Sequence, residues 1–134
     1  MKVVYDTCLY IDLLRSGKWL NLFTERSYIR FISPIVIMEL MAGVKNAKQQ
    51  KAIDRLFLPY SKAGRIINLH SNLFYKAGVI MSEMGLSKRS AKNTLSHDIL
   101  IALSAYSIGA NLFTSNRRDF ERITRHVPMK ISYL

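Results

Sequence analysis

A chain of 134 residues with 49% hydrophobic content can bury one compact core, which excludes disorder and suits a single domain spanning residues 1–134. Lysine and arginine number 20 against 9 acidic residues, a net charge of +11, so the large partner to expect is anionic, nucleic acid before membrane surface, with a merely soluble basic protein as the plain alternative. The lone Cys8 excludes an internal disulfide, and the longest apolar stretch, Phe31 to Gly43, is broken by Ser33, Pro34 and Glu39 and falls short of the ~20 residues of a membrane span.

Met1 to Tyr5 is a short β-branched and aromatic run that predicts a strand and leaves no place for a charged leader; with the unpaired cysteine this points to a reducing cytoplasm. Asp6 ends the strand, and Leu9, Leu13 and Leu14 share one helical face before Arg15-Ser16-Gly17 stops it. Tyr28 to Ile32 predicts a second strand. Ser33-Pro34 then offers a capping hydroxyl and a first-turn proline to a helix that runs to Ala42 and stops at Gly43. Lys45 to Leu58 is a two-sided surface helix with Pro59 beyond it, and Lys45, Lys48 and Lys51 read as its solvated face.

Arg65 to Leu69 predicts a third strand, and Ser71 opens a helix that ends at Gly85. Ser87 to Lys92 is a polar, basic connection. Leu95, Ile99, Ala102, Leu103 and Tyr106 form the next helical stripe, closed at Gly109. Asn111 to Phe113 is strand four, Asp119 to Ile123 a short helix, and Met129 to Tyr133 the last strand. Five short strands alternating with helices predict an α/β three-layer sandwich: a central, mostly parallel five-stranded sheet with helices on both faces.

In an open parallel sheet, ligands bind beyond the carboxyl ends of the strands. Asp6 follows strand one, Glu39 lies one to two turns into the helix after strand two, and Asp119 comes six residues after strand four. Asp98, read as a first-turn residue of the helix before strand four, starts from the same edge. Asp6, Asp98 and Asp119 each have a plainer reading as helix caps or first-turn acids. Glu39 does not, because it lies too deep in its helix and is flanked by Met38 and Leu40. Four carboxylates on one edge repel one another, and a hard cation such as Mg²⁺ or Mn²⁺ relieves that conflict. Glu25, Asp54 and Glu121, each followed by arginine, and Asp12 and Glu83 read as solvated.

Four fragments carry a family resemblance: Val-Val-Tyr-Asp-Thr-Cys-Leu-Tyr-Ile-Asp (3–12), Ser-Pro-Ile-Val-Ile-Met-Glu-Leu-Met-Ala-Gly (33–43), His-Asp-Ile-Leu-Ile-Ala (97–102) and Thr-Ser-Asn-Arg-Arg-Asp-Phe (114–120). In this order the chain resembles the PIN-domain nucleases, and among them the VapC-like toxins of type II toxin–antitoxin pairs. The resemblance implies that Asp6, Glu39 and Asp98 are metal ligands. It makes Asp119 the fourth acid and Asn116 a substrate or outer contact, because Asn116 carries no charge. Thr7 and Thr114 could offer hydroxyls to metal waters or equally cap local turns.

The activity implied is metal-dependent endoribonuclease cleavage: one or two Mg²⁺ ions, held by the acids, activate water against an RNA phosphodiester. Lys88, Arg89, Lys92, Arg117 and Arg118 flank the acids and are expected to hold RNA phosphates. The resemblance further implies a cognate antitoxin whose tail fills a groove and inserts a basic side chain among the carboxylates, a homodimer, and a structured substrate such as transfer RNA. A PIN nuclease of RNA maturation or decay and a catalytically silent nucleic-acid-binding module stay open as alternatives. A Cys8–His97 nucleophile and base pair is the weaker chemistry, since a small cysteine beside a strand end is usually packed. His70 and His126 lack metal-ligand spacing, and there is no Gly-rich phosphate loop.

Overall fold

A computed structural model of the chain describes residues 1–86 and 92–134, and the side chains of all these except 92–94. The elements follow as β1 (Lys2–Tyr5), α1 (Thr7–Ser16), α2 (Leu20–Thr24), β2 (Ile29–Phe31), α3 (Pro34–Ala42), α4 (Ala47–Lys62), α5 (Ser71–Glu83), α6 (Lys92–Ser107), β3 (Asn111–Thr114), α7 (Arg117–Ile123) and β4 (Ile131–Tyr133). The strands form a four-stranded sheet in the order β2-β1-β3-β4, and every neighbouring pair is parallel. Successive side chains of a strand face opposite sides of its sheet. Val3, Val4 and Tyr5 are all at most 1% exposed, so both faces of β1 are covered, as a parallel sheet requires.

The local signals for α1 and α3 act as their chemistry dictates. Ser33 accepts the Ile35 amide hydrogen while Pro34 opens α3, and Gly17 closes α1 in the left-handed conformation at φ 71°. Tyr10 and Tyr60, both buried, share a hydroxyl–hydroxyl hydrogen bond of 2.9 Å that ties α1 to α4.

Three expectations need correction. The strand expected over 65–69 is reduced to one parallel bridge, Ile32 with Ile66, so the sheet has four strands. Its partner gives out: beyond Ile32 the chain turns into α3 at Ser33-Pro34, and Pro34 has no amide hydrogen with which to extend a ladder. Pro59 lies inside α4, not beyond it. It is exposed, as is Arg55, whose carbonyl loses its helical partner and can turn to water. Asp98 is the seventh residue of α6, in its second turn. In addition, α2 was unforeseen: it has five residues, no side-chain cap, and begins after Trp19 at φ 67°.

The strand order sets the position of the site. From β1 the chain passes to β2 on one side, and from β3 to β4 on the other, so the order reverses between β1 and β3. The crevice at such a switch lies beyond the strands' carboxyl ends. Tyr5 is in register with Phe113, which puts Asp6 and Thr114 next to each other there. Among the described residues no helix is long and apolar enough to cross a membrane.

Candidate active site

Asp6 leaves β1 and caps α1, its Oδ1 accepting the Thr7 amide hydrogen at 2.8 Å. The helix-cap reading of this residue is therefore correct as far as it goes. Its other oxygen is held from across the sheet: the Thr114 hydroxyl donates to Oδ2 at 2.8 Å and the Cys8 thiol at 3.4 Å. Asp6 is only 4% exposed. Burial pushes its carboxyl above the usual range and the charge of Glu39 adds to the effect, while the bonds from Thr114, Cys8 and Thr7 oppose it.

Glu39 projects from α3 and takes the Thr7 hydroxyl on Oε1 at 2.7 Å. Its Oε2 faces His97 Nδ1 at 3.4 Å. Asp119 stands in the first turn of α7, where Asn116 is the cap; the Asn116 amide nitrogen donates to Asp119 Oδ2 at 3.1 Å. Asn116 is tied in turn through its backbone N–H to Thr114 Oγ1 at 3.0 Å. Thr7 and Thr114 therefore each donate to a carboxylate, so their hydroxyl hydrogens are already engaged.

Asp98 differs from the other three. It is 6% exposed, and its Oδ2 is buried with no hydrogen-bond partner among the described residues. Burial, followed by the charges of Asp6, Glu39 and Asp119, pushes its carboxyl up to about 8. Asp6 at the cap of α1, Glu39 on α3 and Asp119 on α7 thus all lie within electrostatic reach of Asp98 on α6.

Among the described residues no three Asp, Glu, His or Cys side chains form a ready-made metal-binding group. The fit of a cation rests on the donor chemistry. All the charged donors are carboxylate oxygens, the class that Mg²⁺ and Mn²⁺ prefer. One of them is buried with no hydrogen-bond partner among the described residues, and a cation beside it would offset the lost hydration of its ionised form.

The sequence reading passed over two groups. His97 had been weighed only as a base for Cys8, yet it faces Glu39; the signal was its place immediately before Asp98. Ser115 donates to Cys8 Sγ at 3.2 Å and so backs the contact between that thiol and Asp6. The nucleophile reading of Cys8 fails on geometry, because the thiol bonds to Asp6 and Ser115 and not to His97. Burial, then the charge of Asp6, also pushes the thiol above its ordinary range, away from the reactive thiolate.

Of the expected RNA contacts, Lys88 and Arg89 lie outside the described residues, as does the side chain of Lys92. Arg117 and Arg118 open α7, but they differ. Arg117 pairs with Glu121 at 3.1 Å and its guanidinium lies 4.3 Å from the centre of the Tyr133 ring. Arg118 is exposed and makes no ion pair among the described residues. A groove of about 680 Å³ opens beside Glu39 between α1, α3 and α4, with Ile11, Leu14 and Ile53 among its apolar residues and Arg15, Lys45 and Lys48 as its cations.

The sequence profile of the PIN domain family matches residues 3–126. Ribonuclease VapC1 of Rickettsia felis is 33% identical over 126 residues, spanning 92% of this chain and 91% of that protein. Among solved structures, VapBC2 from Rickettsia felis, bound to a DNA fragment from its promoter, superposes with a TM-score of 0.69 at 23% identity, covering 100% of this chain and 99% of the other. VapBC-1 from nontypeable Haemophilus influenzae gives a TM-score of 0.71 at 21% identity, covering 99% and 98%. The structural likenesses carry the fold; the profile and the ribonuclease relative carry the family. With Asp6 and Thr114 side by side at the switch between β1 and β3, the chain belongs to the PIN-domain family, in its VapC-like branch.

Proposed function

We propose that this protein is a divalent-cation-dependent endoribonuclease that hydrolyses RNA phosphodiester bonds, acting as the toxin of a toxin–antitoxin pair. The observation that carries the reading is Asp98: a buried carboxylate with an unpartnered oxygen and three acids within electrostatic reach. Asp6, Glu39 and Asp98, helped by Asp119, would hold Mg²⁺ or Mn²⁺. When bound, the ion supplies Lewis-acid stabilisation of charge on the scissile phosphate and makes water a better nucleophile.

The chain's own groups do the orienting. Thr114 and Cys8 fix one oxygen of Asp6, Thr7 fixes one of Glu39, and Asn116 fixes one of Asp119, so these carboxylates are set before a ligand arrives. A net charge of +11 draws a polyanion to the surface. Arg118, exposed at the start of α7 beside Asp119, would take a phosphate. Transfer RNA is the substrate class expected from the resemblance.

The antitoxin belongs to the same proposal. A segment with an apolar face would cover Ile11, Leu14 and Ile53, acidic side chains would meet Arg15, Lys45 and Lys48, and a basic one would reach Glu39 at the edge of the groove. Assembly as a homodimer, also implied by the resemblance, is read by sedimentation. Incubating the protein with total RNA, with and without chelator, and mapping the new ends tests the activity. Specific new ends that vanish with chelator are expected; intact RNA, or cleavage indifferent to chelator, overturns the proposal.

A further inference from the structure

Glu39 is the acid that a plain sequence argument explains least, and it is braced from two sides. Thr7, at the start of α1, donates its hydroxyl to Oε1 at 2.7 Å, and His97, on α6, brings Nδ1 to 3.4 Å from Oε2. An ionised carboxylate only accepts, so the brace requires a proton on Nδ1. One hydrogen bond leaves a carboxylate free to rotate about it; a second, on the other oxygen and from another element, fixes its plane.

A glutamate needs that restraint. Its side chain has three rotatable bonds, and here it is 26% exposed rather than packed on all sides. There is also a competing place for it to go. Glu39 lines the same groove as Arg15, Lys45 and Lys48, whose charges attract any carboxylate released toward them. Because His97 immediately precedes Asp98, the turn of α6 that brings one acid to the site also brings the brace for another.

The geometry points to His97 as a positioning residue that holds the Glu39 carboxylate beside Asp6 and Asp98 and away from the groove's cations, so that the acids present one oxygen cage to a divalent ion. This inference rests on the proposed function, since it presumes that the acids bind a cation. The brace acts through Glu39 and touches neither the ion nor the substrate.

The test is Mn²⁺ affinity, measured by titration calorimetry on the full chain without RNA. Losing the partner of a ligand typically weakens metal binding at least tenfold, so His97→Phe, which keeps a ring and removes the donor, is expected to bind Mn²⁺ about tenfold more weakly. His97→Asn places an N–H close to the position of Nδ1 and is expected to stay within about threefold of the parent. In a Glu39→Gln background, His97→Phe is expected to cost nothing further. Urea midpoints in chelator check that the variants fold, and His97→Ala replaces His97→Phe if the larger ring does not fit. Undiminished affinity in His97→Phe, an equal loss in His97→Asn, or a full further loss in the Glu39→Gln background overturns the inference alone. Absence of Mn²⁺ binding by the unaltered chain overturns it together with the proposed function.

Discussion

The Thr114 hydroxyl donates to Asp6 Oδ2 at 2.8 Å across 108 positions of sequence. Both residues are at most 4% exposed, and Thr114 Oγ1 also accepts the Asn116 amide hydrogen at 3.0 Å. One hydroxyl thus joins the end of β1 to the turn that starts α7. Its removal leaves a buried carboxylate short of a donor and a backbone N–H short of an acceptor. Thr114→Val is expected to lower stability by roughly 1.5–3 kcal/mol, as a hydrogen bond to a charged group implies. Thr114→Ser should retain most of it. Urea denaturation of the two variants decides: equal midpoints would remove the hydroxyl from this role.

The raised carboxyl of Asp98 makes a signed prediction about pH. Between its ordinary value of 3.8 and about 8, the folded chain keeps a proton that the unfolded chain has released. Stability in chelator is therefore expected to fall as pH rises through that window, by up to ~1.4 kcal/mol per unit, and to level off above it. Asp6 is raised as well and acts with the same sign. Asp98→Asn should flatten the slope and leave the folded chain more stable than the parent at pH 8 while abolishing cleavage. Urea midpoints at several pH values, compared between parent and variant, read the effect. A parent whose stability rises with pH as steeply as the variant's contradicts the assignment.

Tyr10 and Tyr60 offer a test of what holds the groove walls together. Their hydroxyls satisfy each other at 2.9 Å, with Tyr10 fully buried and Tyr60 9% exposed. Tyr10→Phe leaves the buried Tyr60 hydroxyl short of its hydrogen-bond partner, at a cost of about 1–3 kcal/mol. The double variant Tyr10→Phe/Tyr60→Phe removes both polar groups and should recover part of that loss. A double variant as unstable as the sum of the singles would mean that the pair contributes through something other than mutual satisfaction.

What could be read from the chain follows from the range of the interaction behind it. Ser33-Pro34 and Gly17 act within a turn of their own positions, so the start of α3 and the end of α1 were legible. That Asp6, Glu39 and Asp119 come within electrostatic reach of Asp98 follows from the same edge rule, because strand ends and helix starts share an edge in a parallel sheet. Pairing was not legible. Nothing local says that Ile66 would find only Ile32 as a partner, or that β2 would stop where Pro34 begins a helix. Nor could the hydroxyls of Thr7 and Thr114 be assigned to Glu39 and Asp6 across 32 and 108 positions, since such contacts depend on how elements cross. Pro59 misled because proline is a poor interior helix residue, yet an exposed site tolerates it.

Arg117 and Arg118 are neighbours in sequence and unequal in availability. Arg117 is exposed too, but it is paired with Glu121 and laid over Tyr133, which holds its guanidinium in place. Arg118 is exposed without an ion-pair partner among the described residues. Each phosphate neutralised by a side chain adds roughly 0.7–0.9 to the slope of log affinity against log salt. Arg118→Gln is therefore expected to flatten the salt dependence of RNA binding by about one phosphate, measured on Asp98→Asn protein so that the RNA stays intact. Arg117→Gln should change that slope less and lower the urea midpoint more, because it removes a stacked, paired guanidinium. If both substitutions leave the slope unchanged, RNA is held elsewhere on this basic surface and the start of α7 is not its contact.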